Sequence, residues 1–215
     1  MIEKLACQLG RNDEIPNIEL AELLCQNEDV KGIREIVDGL KGKDKAIAND
    51  CIKVLYEIGE RKPYLISEYA EDFLSLLCSR NNRLIWGSMT AFATIAELVP
   101  DTIYGRIDEV LAVFHGGSVI AVDNSITVLS KLCTTDKKYE NHILPLLLEH
   151  LRNCRPKEVA QHAERMSICI NKDNLKEFFD VLNARKDQLS VSQKERIRKL
   201  EKKLLNRDSG VVTML

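Results

Sequence analysis

Apolar residues recur along the chain with a period of 37 residues. Within one unit the apolar positions follow at i, i+4, i+7 and i+10, which places their side chains along one face of a helix. The pattern therefore predicts the first helix of each repeating unit. Four columns keep this register: Ala48, Ile85, Val122 and Val159; Ile52, Met89, Ile126 and Ala163; Leu55, Phe92, Leu129 and Met166; Ile58, Ile95, Leu132 and Cys169.

A second set of apolar positions has the same period and predicts a second helix in each unit. Asp29 is placed to cap the first of these second helices, and Pro63 and Pro100 recur 37 apart between the two helices of a unit. In the last unit Phe178, Phe179 and Leu182 fit only after a two-residue deletion. The columns are Ile33, Ala70, Ile107 and Leu144; Ile36, Phe73, Val110 and Leu147; Leu40, Leu77, Phe114 and Leu151.

The stretch FHGGS, residues 114–118, resembles the HGG loop that forms an oxyanion hole in esterases. Such a loop needs a Gly-x-Ser-x-Gly nucleophile elbow, and the sequence contains none. FHGGS lies 37 residues after LCSRN, so the register predicts a turn between units. We expect glycine to relieve a left-handed conformation at the helix end and Ser118 to cap the next helix.

Repeated helical pairs without any strand pattern predict an all-α fold. Segments such as AIANDCIKVLYEIGERKP and LIWGSMTAFATIAELVP are similar to the first helix of the HEAT and armadillo repeat family, and the resemblance covers about residues 12–188. It implies a right-handed α-solenoid, or superhelix, of about five antiparallel helix pairs with a C-terminal capping helix at 190–206. The family often has arginine after the Ala48 position, and here Asn49, Trp86, Asp123 and Ala160 stand there.

We predict one repeat domain over residues 1–207 and a tail at 208–215. The predicted units are 12–43, 44–81, 82–118, 119–155 and 156–188, followed by the cap. Each pair cannot bury its apolar stripe alone, so stacking produces an extended binding surface.

Composition places the chain among soluble globular proteins, with 45% hydrophobic and 30% charged residues. No apolar run reaches the about 18 residues that span a bilayer, and the N-terminus lacks the pattern of a signal peptide. Seven cysteines without a CxxC pair are typical of a reducing compartment. We therefore expect a cytoplasmic protein that does not bind membranes.

Catalytic and metal-binding patterns are weak. HEAT-fold hydroxylases use repeated His-Glu dipeptides, which are absent, and HEAT-like DNA glycosylases use aromatic residues in a basic groove, where this chain offers only Trp86. His150 and Cys154 lie four apart on a predicted helix face, and zinc binding can be imagined with residues elsewhere in the last units. The register places Cys169 in an apolar column and His162 beside one, which favours a packing role over metal binding. Since none of these patterns is strong, we predict no enzyme activity, no metal and no cofactor. The further histidine and cysteine candidates are His142, His162 and Cys169.

Charge is distributed unevenly. Residues 1–151 contain 16 Lys and Arg against 24 Asp and Glu, whereas residues 152–207 contain 15 against 8. The negative surplus of residues 1–151 predicts an acidic surface that binds a basic peptide or protein and repels nucleic acid. The alternative is that these residues form an ordinary solvated face. The predicted partner-binding residues are non-core positions of the second helices: Glu68, Glu71, Asp72, Asp108, Glu109 and Glu149.

The basic C-terminal segment leaves two interpretations open. Ile197, Leu200 and Leu204 share one face, as in a capping helix, while the cations could contact RNA, anionic lipid or a partner helix. The alternative function is accordingly a HEAT-like enzyme or nucleic-acid-processing protein that uses this region. The terminal Thr213-Met214-Leu215 formally matches a PDZ-domain ligand, and a frayed or packed tail is the competing interpretation.

Overall fold

A computed structural model describes residues 1–208, with only the backbone of Asp208. Within this range the chain forms twelve α-helices and several short 3-10 turns, and no residue in it is in a β-strand. The all-α prediction is therefore confirmed. No helix in this range is both long and apolar enough to cross a membrane.

The chain divides into two compact units, residues 1–128 and the part from residue 129 onward. In the first unit the helix α3 contacts α1, α2 and α5, and α4 contacts α5. The helices of this unit are α1 Ile15–Asn27, α2 Val30–Gly39, α3 Lys45–Arg61, α4 Ala70–Leu76, α5 Asn82–Ile95, α6 Pro100–Gly105 and α7 Ile107–Gly116, with the first part of α8 Val119–Thr135.

The second unit contains the rest of α8 and four further helices. Here α9 contacts α10 and α11, and α12 contacts α10. These helices are α9 Lys137–Asn153, α10 Val159–Met166, α11 Leu175–Arg185 and α12 Val191–Asp208.

Most predicted core columns are buried. All positions of the three second-helix columns are buried, as are those of the first-helix columns that begin at Ile52, Leu55 and Ile58. The Ala48 column is wrong in two units, because Ile85 and Val122 are only half-buried. Their preceding neighbours Leu84 and Ala121 are buried instead, so the apolar face of the first turn is rotated by one residue.

Polar side chains mark the beginnings of several helices. Asp29 Oδ1 accepts a hydrogen bond from the backbone N–H of Gly32 at 2.9 Å, which confirms the predicted cap. Asp44, Asn81 and Asp136 accept from the first turns of α3, α5 and α9 in the same way. Each such contact satisfies a backbone donor that the helix leaves unpaired, and so fixes where the helix begins.

The two prolines open short helical segments. Pro63 begins the 3-10 turn Pro63–Leu65, and Pro100 is the first residue of α6. Proline suits this position because its missing N–H would have no helical partner there. The second and third repeats therefore contain a short helical connector in addition to the predicted pair.

The FHGGS segment is a turn between α7 and α8, as the register predicts. The expected left-handed glycine is wrong: Gly117 is extended, with φ −75° and ψ 173°. Glycine is required there for space, since a Cβ atom would lie 2.5 Å from the carbonyl oxygen of Val113. The predicted cap is also wrong, because the buried hydroxyl of Ser118 has no hydrogen-bond partner among the described residues.

Candidate partner-binding surface

Five of the six predicted binding residues lie in the first unit. Glu68 is in the 3-10 turn Ser67–Tyr69, Glu71 and Asp72 are in the first turn of α4, and Asp108 and Glu109 are in the first turn of α7. We refer to these five carboxylates as the acidic row. Acidic side chains in a first helical turn interact favourably with the helix dipole, which gives four of the five a local structural reason to be there.

Cations from neighbouring repeats contact the acidic row. Arg34 of α2 approaches Glu68 at 3.5 Å, with both side chains more than half exposed. Lys41, just after α2, lies 2.8 Å from Asp72 Oδ1. The hydrogen bond from Lys41 to Asp72 raises the pKa of the lysine ammonium group. Two carboxylates of the second repeat are thus paired with cations of the first.

Arg106 continues this arrangement into the third repeat. Its guanidinium donates to Glu109 at 2.6 and 2.7 Å and to Glu71 at 3.1 Å. These hydrogen bonds, the ones to Glu109 first, raise the pKa of Arg106. One cation therefore holds carboxylates from two successive repeats. Asp108 is exposed and has no ion pair with any residue between 1 and 208.

Glu149, the sixth predicted residue, lies immediately before the last turn of α9 in the second unit. Its carboxylate lies 3.3 Å from Arg152, which also donates to Glu177 at 2.9 Å. The side chain is 63% exposed, so this pair is a solvated surface contact.

The structure therefore presents the acidic row as a series of ion pairs with a surplus of negative charge. Five carboxylates face three cations, Arg34, Lys41 and Arg106. The whole first unit contains 13 Lys and Arg against 21 Asp and Glu, and the second unit contains 18 against 12. The surplus extends over the unit and is not confined to the row.

A second polar cluster in the first unit was missed at the level of sequence. Lys53 of α3 is 6% exposed and lies 3.0 Å from Glu14 and 2.7 Å from Glu57. Its ammonium also lies 4.9 Å from the centre of the Tyr56 ring. Burial lowers the pKa of Lys53, and the two carboxylates outweigh this effect and raise it overall. Lys53 lies in a helix with an ordinary amphipathic pattern, so nothing in the sequence indicated that this lysine is buried or that it joins a network.

Aromatic rings extend the cluster toward α5. Trp86 lies 5.9 Å from Tyr56 between ring centres, and the Arg83 guanidinium lies 5.3 Å from the centre of the Trp86 ring. Arg83 also contacts Glu14, which joins the start of α1 to α5. Trp86 occupies a position at which HEAT and armadillo repeats often have arginine. In this chain the tryptophan packs beside the cation of Arg83 instead.

The helix α12 has the features of a cap. Ile197, Leu200 and Leu204 are buried, and α12 contacts α10. Arg196 forms a two-point ion pair with Glu164 of α10 at 2.9 and 2.6 Å. The exposed lysines of its outer face are Lys194, Lys199, Lys202 and Lys203. The predicted PDZ-type ending at Thr213-Met214-Leu215 lies outside the described residues.

Three of the weighed metal-ligand candidates come together in the second unit. The ligand atoms of His150, Cys154 and His162 all lie within 4.8 Å of one another. Cys169 is not in this group and its thiol donates to the carbonyl oxygen of Met166 at 3.1 Å, and His142 is not in the group either. The sequence favoured packing for His162, and it is indeed buried, but its ring also faces a second histidine.

Comparison with known proteins gives structural neighbours only. No family model matches the chain, and no curated protein matches it. An engineered protein of known structure superposes with a TM-score of 0.65 at 16% identity, covering 95% of each chain. A designed armadillo repeat protein, solved in complex with the peptide (KR)4, gives a TM-score of 0.65 at 12% identity, covering 89% of this chain and 90% of that one.

Kap121p is a further structural neighbour of this chain. Kap121p matches with a TM-score of 0.65 at 16% identity, over 88% of this chain and 20% of its own length. The chain therefore has the helical-repeat fold of the HEAT and armadillo type, as its 37-residue period indicates.

Proposed function

We propose that the chain is a non-enzymatic protein-interaction scaffold whose acidic row binds a basic, extended peptide segment. The observation that carries the proposal is the recurrence of paired carboxylates, Glu71 and Asp72 and then Asp108 and Glu109, on successive second helices of a unit with a large negative surplus. Such a surface attracts cations over a distance of about one Debye length. We also propose a cytoplasmic location, because all seven cysteines are free thiols.

The repeat spacing suits an extended ligand. Packed helices lie about 8–10 Å apart, and a polyproline-type chain advances about 3.1 Å per residue, so side chains three residues apart are separated by about 9 Å. Successive cations on one side of such a peptide would meet successive repeats. Arg106, which contacts Glu71 and Glu109 together, already occupies one such bridging position.

A peptide ligand must compete with the cations of the chain that already pair with the acidic row. Exposed ion pairs contribute only about 0–1 kcal/mol each, so exchanging Lys41 or Arg106 for a peptide cation is nearly neutral at one position. A ligand gains affinity by engaging Asp108, which has no such partner in the described chain, and by bridging several carboxylates at once. We therefore expect a peptide with several cations to bind and a single basic residue not to.

Two structural neighbours support this proposal by analogy of fold. The designed armadillo protein was solved with (KR)4, a peptide of alternating lysine and arginine, and Kap121p was solved bound to Pho4p. The alternative is nucleic-acid binding by the exposed lysines of α12. Their side chains contact solvent on the outer face of a helix whose inner face is buried, so a polar cap already accounts for them.

Fluorescence anisotropy with labelled (KR)4 tests the proposal directly. The test variant Glu71→Gln/Asp108→Asn removes two charges of the acidic row, and the control Glu19→Gln/Glu60→Gln removes two exposed charges from α1 and α3. We expect the test variant to bind about 2- to 30-fold more weakly, from about 0.2–1 kcal/mol per exposed pair, and the control to change little. Binding of the wild type should weaken as salt rises.

Three results would contradict the proposal. The first is that the wild type fails to bind (KR)4 at low salt. The second is that both double variants weaken binding equally, because this would indicate general electrostatic attraction without a specific site. The third is tight binding of single-stranded oligonucleotide that is lost in Lys202→Ala/Lys203→Ala, which would move the function to α12.

A further inference from the structure

Two histidine rings and one thiol converge where α9 meets α10, apart from the acidic row. His150 is in the last turn of α9, Cys154 is the residue that ends this helix, and His162 is inside α10. His150 Nε2 lies 3.0 Å from His162 Nδ1, with the ring centres 5.0 Å apart. The three ligand atoms lie within 4.8 Å of one another.

The geometry points to a zinc-binding site formed by His150 Nε2, His162 Nδ1 and Cys154 Sγ, with one coordination position left for water. Two imidazoles and a thiolate are a donor set that zinc prefers over harder cations such as magnesium. Tetrahedral zinc with Zn–N distances of about 2.0–2.1 Å separates two nitrogen ligands by about 3.3 Å. The observed 3.0 Å separation needs only a small opening of the two rings.

The sulfur requires a larger but local adjustment. Tetrahedral geometry places nitrogen and sulfur ligands about 3.6 Å apart. Because the three ligand atoms lie within 4.8 Å of one another, Cys154 Sγ must approach the nitrogens by at most about 1 Å. At present the thiol makes a weak contact with the carbonyl oxygen of Leu151, at 3.8 Å, and it also interacts with Arg185. Metal binding exchanges the weak contact with Leu151 for a zinc–sulfur bond.

The surroundings hold the ligands in place. His162 is 1% exposed and Cys154 is 9% exposed, while His150 is half-buried and gives access from solvent. Arg185 of α11 is buried and donates to the carbonyl oxygens of Leu151 at 2.9 Å and Cys154 at 2.7 Å. These hydrogen bonds fix the turn that carries the thiol, and such preorganisation by surrounding groups strengthens metal sites.

Nearby charges act on the thiol in both directions. Burial raises the pKa of Cys154 most, the positive charge of Arg185 opposes it, and Glu158 adds to it. Zinc binds the thiolate form of cysteine, so metal binding at this site would release the thiol proton. Without metal, the two rings are held by a hydrogen bond in which one nitrogen donates and the other accepts.

Metal titration of the full chain under reducing conditions tests the inference. Protein treated with a chelator and then supplied with Zn²⁺ should retain one ion per chain after gel filtration, measured by atomic emission. Substituting Co²⁺ should produce the thiolate-to-cobalt charge-transfer band and the strong visible bands of a tetrahedral site. A simple histidine pair would produce neither the band nor the retained ion.

Variants identify the ligands. His150→Gln changes a half-buried position and should preserve the helical spectrum while weakening zinc binding by more than about 100-fold, since loss of even a second-shell partner costs about 10- to 100-fold. Cys154→Ala should abolish the charge-transfer band. The controls are Cys169→Ala, another buried thiol of the same unit, and His115→Gln, an exposed histidine of α7, and both should retain the metal.

The site is refuted if the wild type retains no zinc, or if His150→Gln and His115→Gln bind it equally. A wild-type cobalt spectrum without the thiolate band also refutes it, and this readout does not depend on whether any variant folds. Because the peptide measurements use residues of the first unit, failure of the zinc site leaves the proposed function unaffected.

Discussion

The two neighbouring glycines of the FHGGS turn should respond in opposite ways to alanine. A Cβ atom at Gly117 would lie 2.5 Å from the carbonyl oxygen of Val113 and 3.1 Å from Ala121 Cβ. The first contact is with backbone and cannot be relieved by moving a flexible side chain. At Gly116, apart from its chain neighbours and the backbone of its own helix, no atom lies within 4 Å of the added methyl group.

The magnitudes follow from these contacts. Gly117 has φ −75°, which alanine adopts readily, so the cost of Gly117→Ala is steric and not conformational. Relieving the clash must also lengthen the 2.7 Å hydrogen bond from Gly117 N–H to Val113. We expect a loss of about 1–3 kcal/mol, the usual cost of overpacking. Gly116→Ala should instead stabilise by about 0.4–1 kcal/mol, because it restricts the unfolded chain without strain.

Urea unfolding of the full chain, followed by Trp86 fluorescence, measures this difference. Trp86 is the single tryptophan and lies in the same compact unit as both glycines. With a slope of about 2 kcal/mol per molar urea, Gly117→Ala should lower the midpoint by about 0.5–1.5 M. A Gly117→Ala protein as stable as the wild type, or two variants shifted in the same direction, would refute the steric argument.

Two further predictions concern the core and the buried charges. Leu129→Ala should destabilise by about 2–5 kcal/mol in denaturant unfolding, because Leu129 is fully buried, whereas the exposed control Lys203→Ala should stay within about 0.5 kcal/mol. Burial raises the pKa of Glu57, but hydrogen bonds from Lys53 and Arg61 outweigh burial and lower it overall. The unfolded chain therefore binds more protons in acid, so this contribution to stability is full above about pH 4.3 and is lost as pH falls through the folded pKa. Unfolding measured from pH 7 to 3 should show a smaller acid-induced loss in Glu57→Gln than in the wild type, and an equal loss would contradict the assignment.

Periodicity predicted the fold well because burial of an apolar stripe is a repeated, local requirement. The columns through Phe92 and Phe73 are buried throughout, and the predicted turn at 114–118 joins α7 to α8. The two positions at which the core columns are wrong lie in the first turns of helices. Ile85 and Val122 are each in the first turn of a helix, where the buried face depends on how the preceding connector enters the helix, and a fixed period contains no information about that entry.

Contacts between repeats were not predictable in the same way. The sequence showed carboxylates at positions 71, 72, 108 and 109, but the cations that meet them come from outside the carboxylates' own columns. Lys41 follows α2 and Arg106 precedes α7, both in connecting segments. Their reach to carboxylates of a neighbouring repeat depends on three-dimensional packing, so the sequence alone indicated a more uniformly negative row than the structure contains.

The histidine pair shows the limit of interpreting a residue by its column. His162 shares a column with Cys51, Ser88 and Ser125, and all four are buried, so the packing interpretation was correct as far as it went. A column of the repeat indicates which face of a helix is buried, but it does not indicate which side chains pack against that face. In this unit one of the neighbouring side chains is another histidine, because α9 ends close to α10 and places His150 in its last turn.

The two units carry opposite formal charge, which affects the kind of ligand that each of them attracts. The first unit has a formal charge of −8 and the second unit, counted to residue 208, has +6. A ligand with many cations is attracted by the first unit and repelled by the second, whereas nucleic acid experiences the reverse. Because these fields are screened over about 8 Å at physiological salt, each unit acts on the ligand that contacts it. If the proposed function holds, we therefore expect a basic peptide to gain affinity from the repeats of the first unit and not from those of the second.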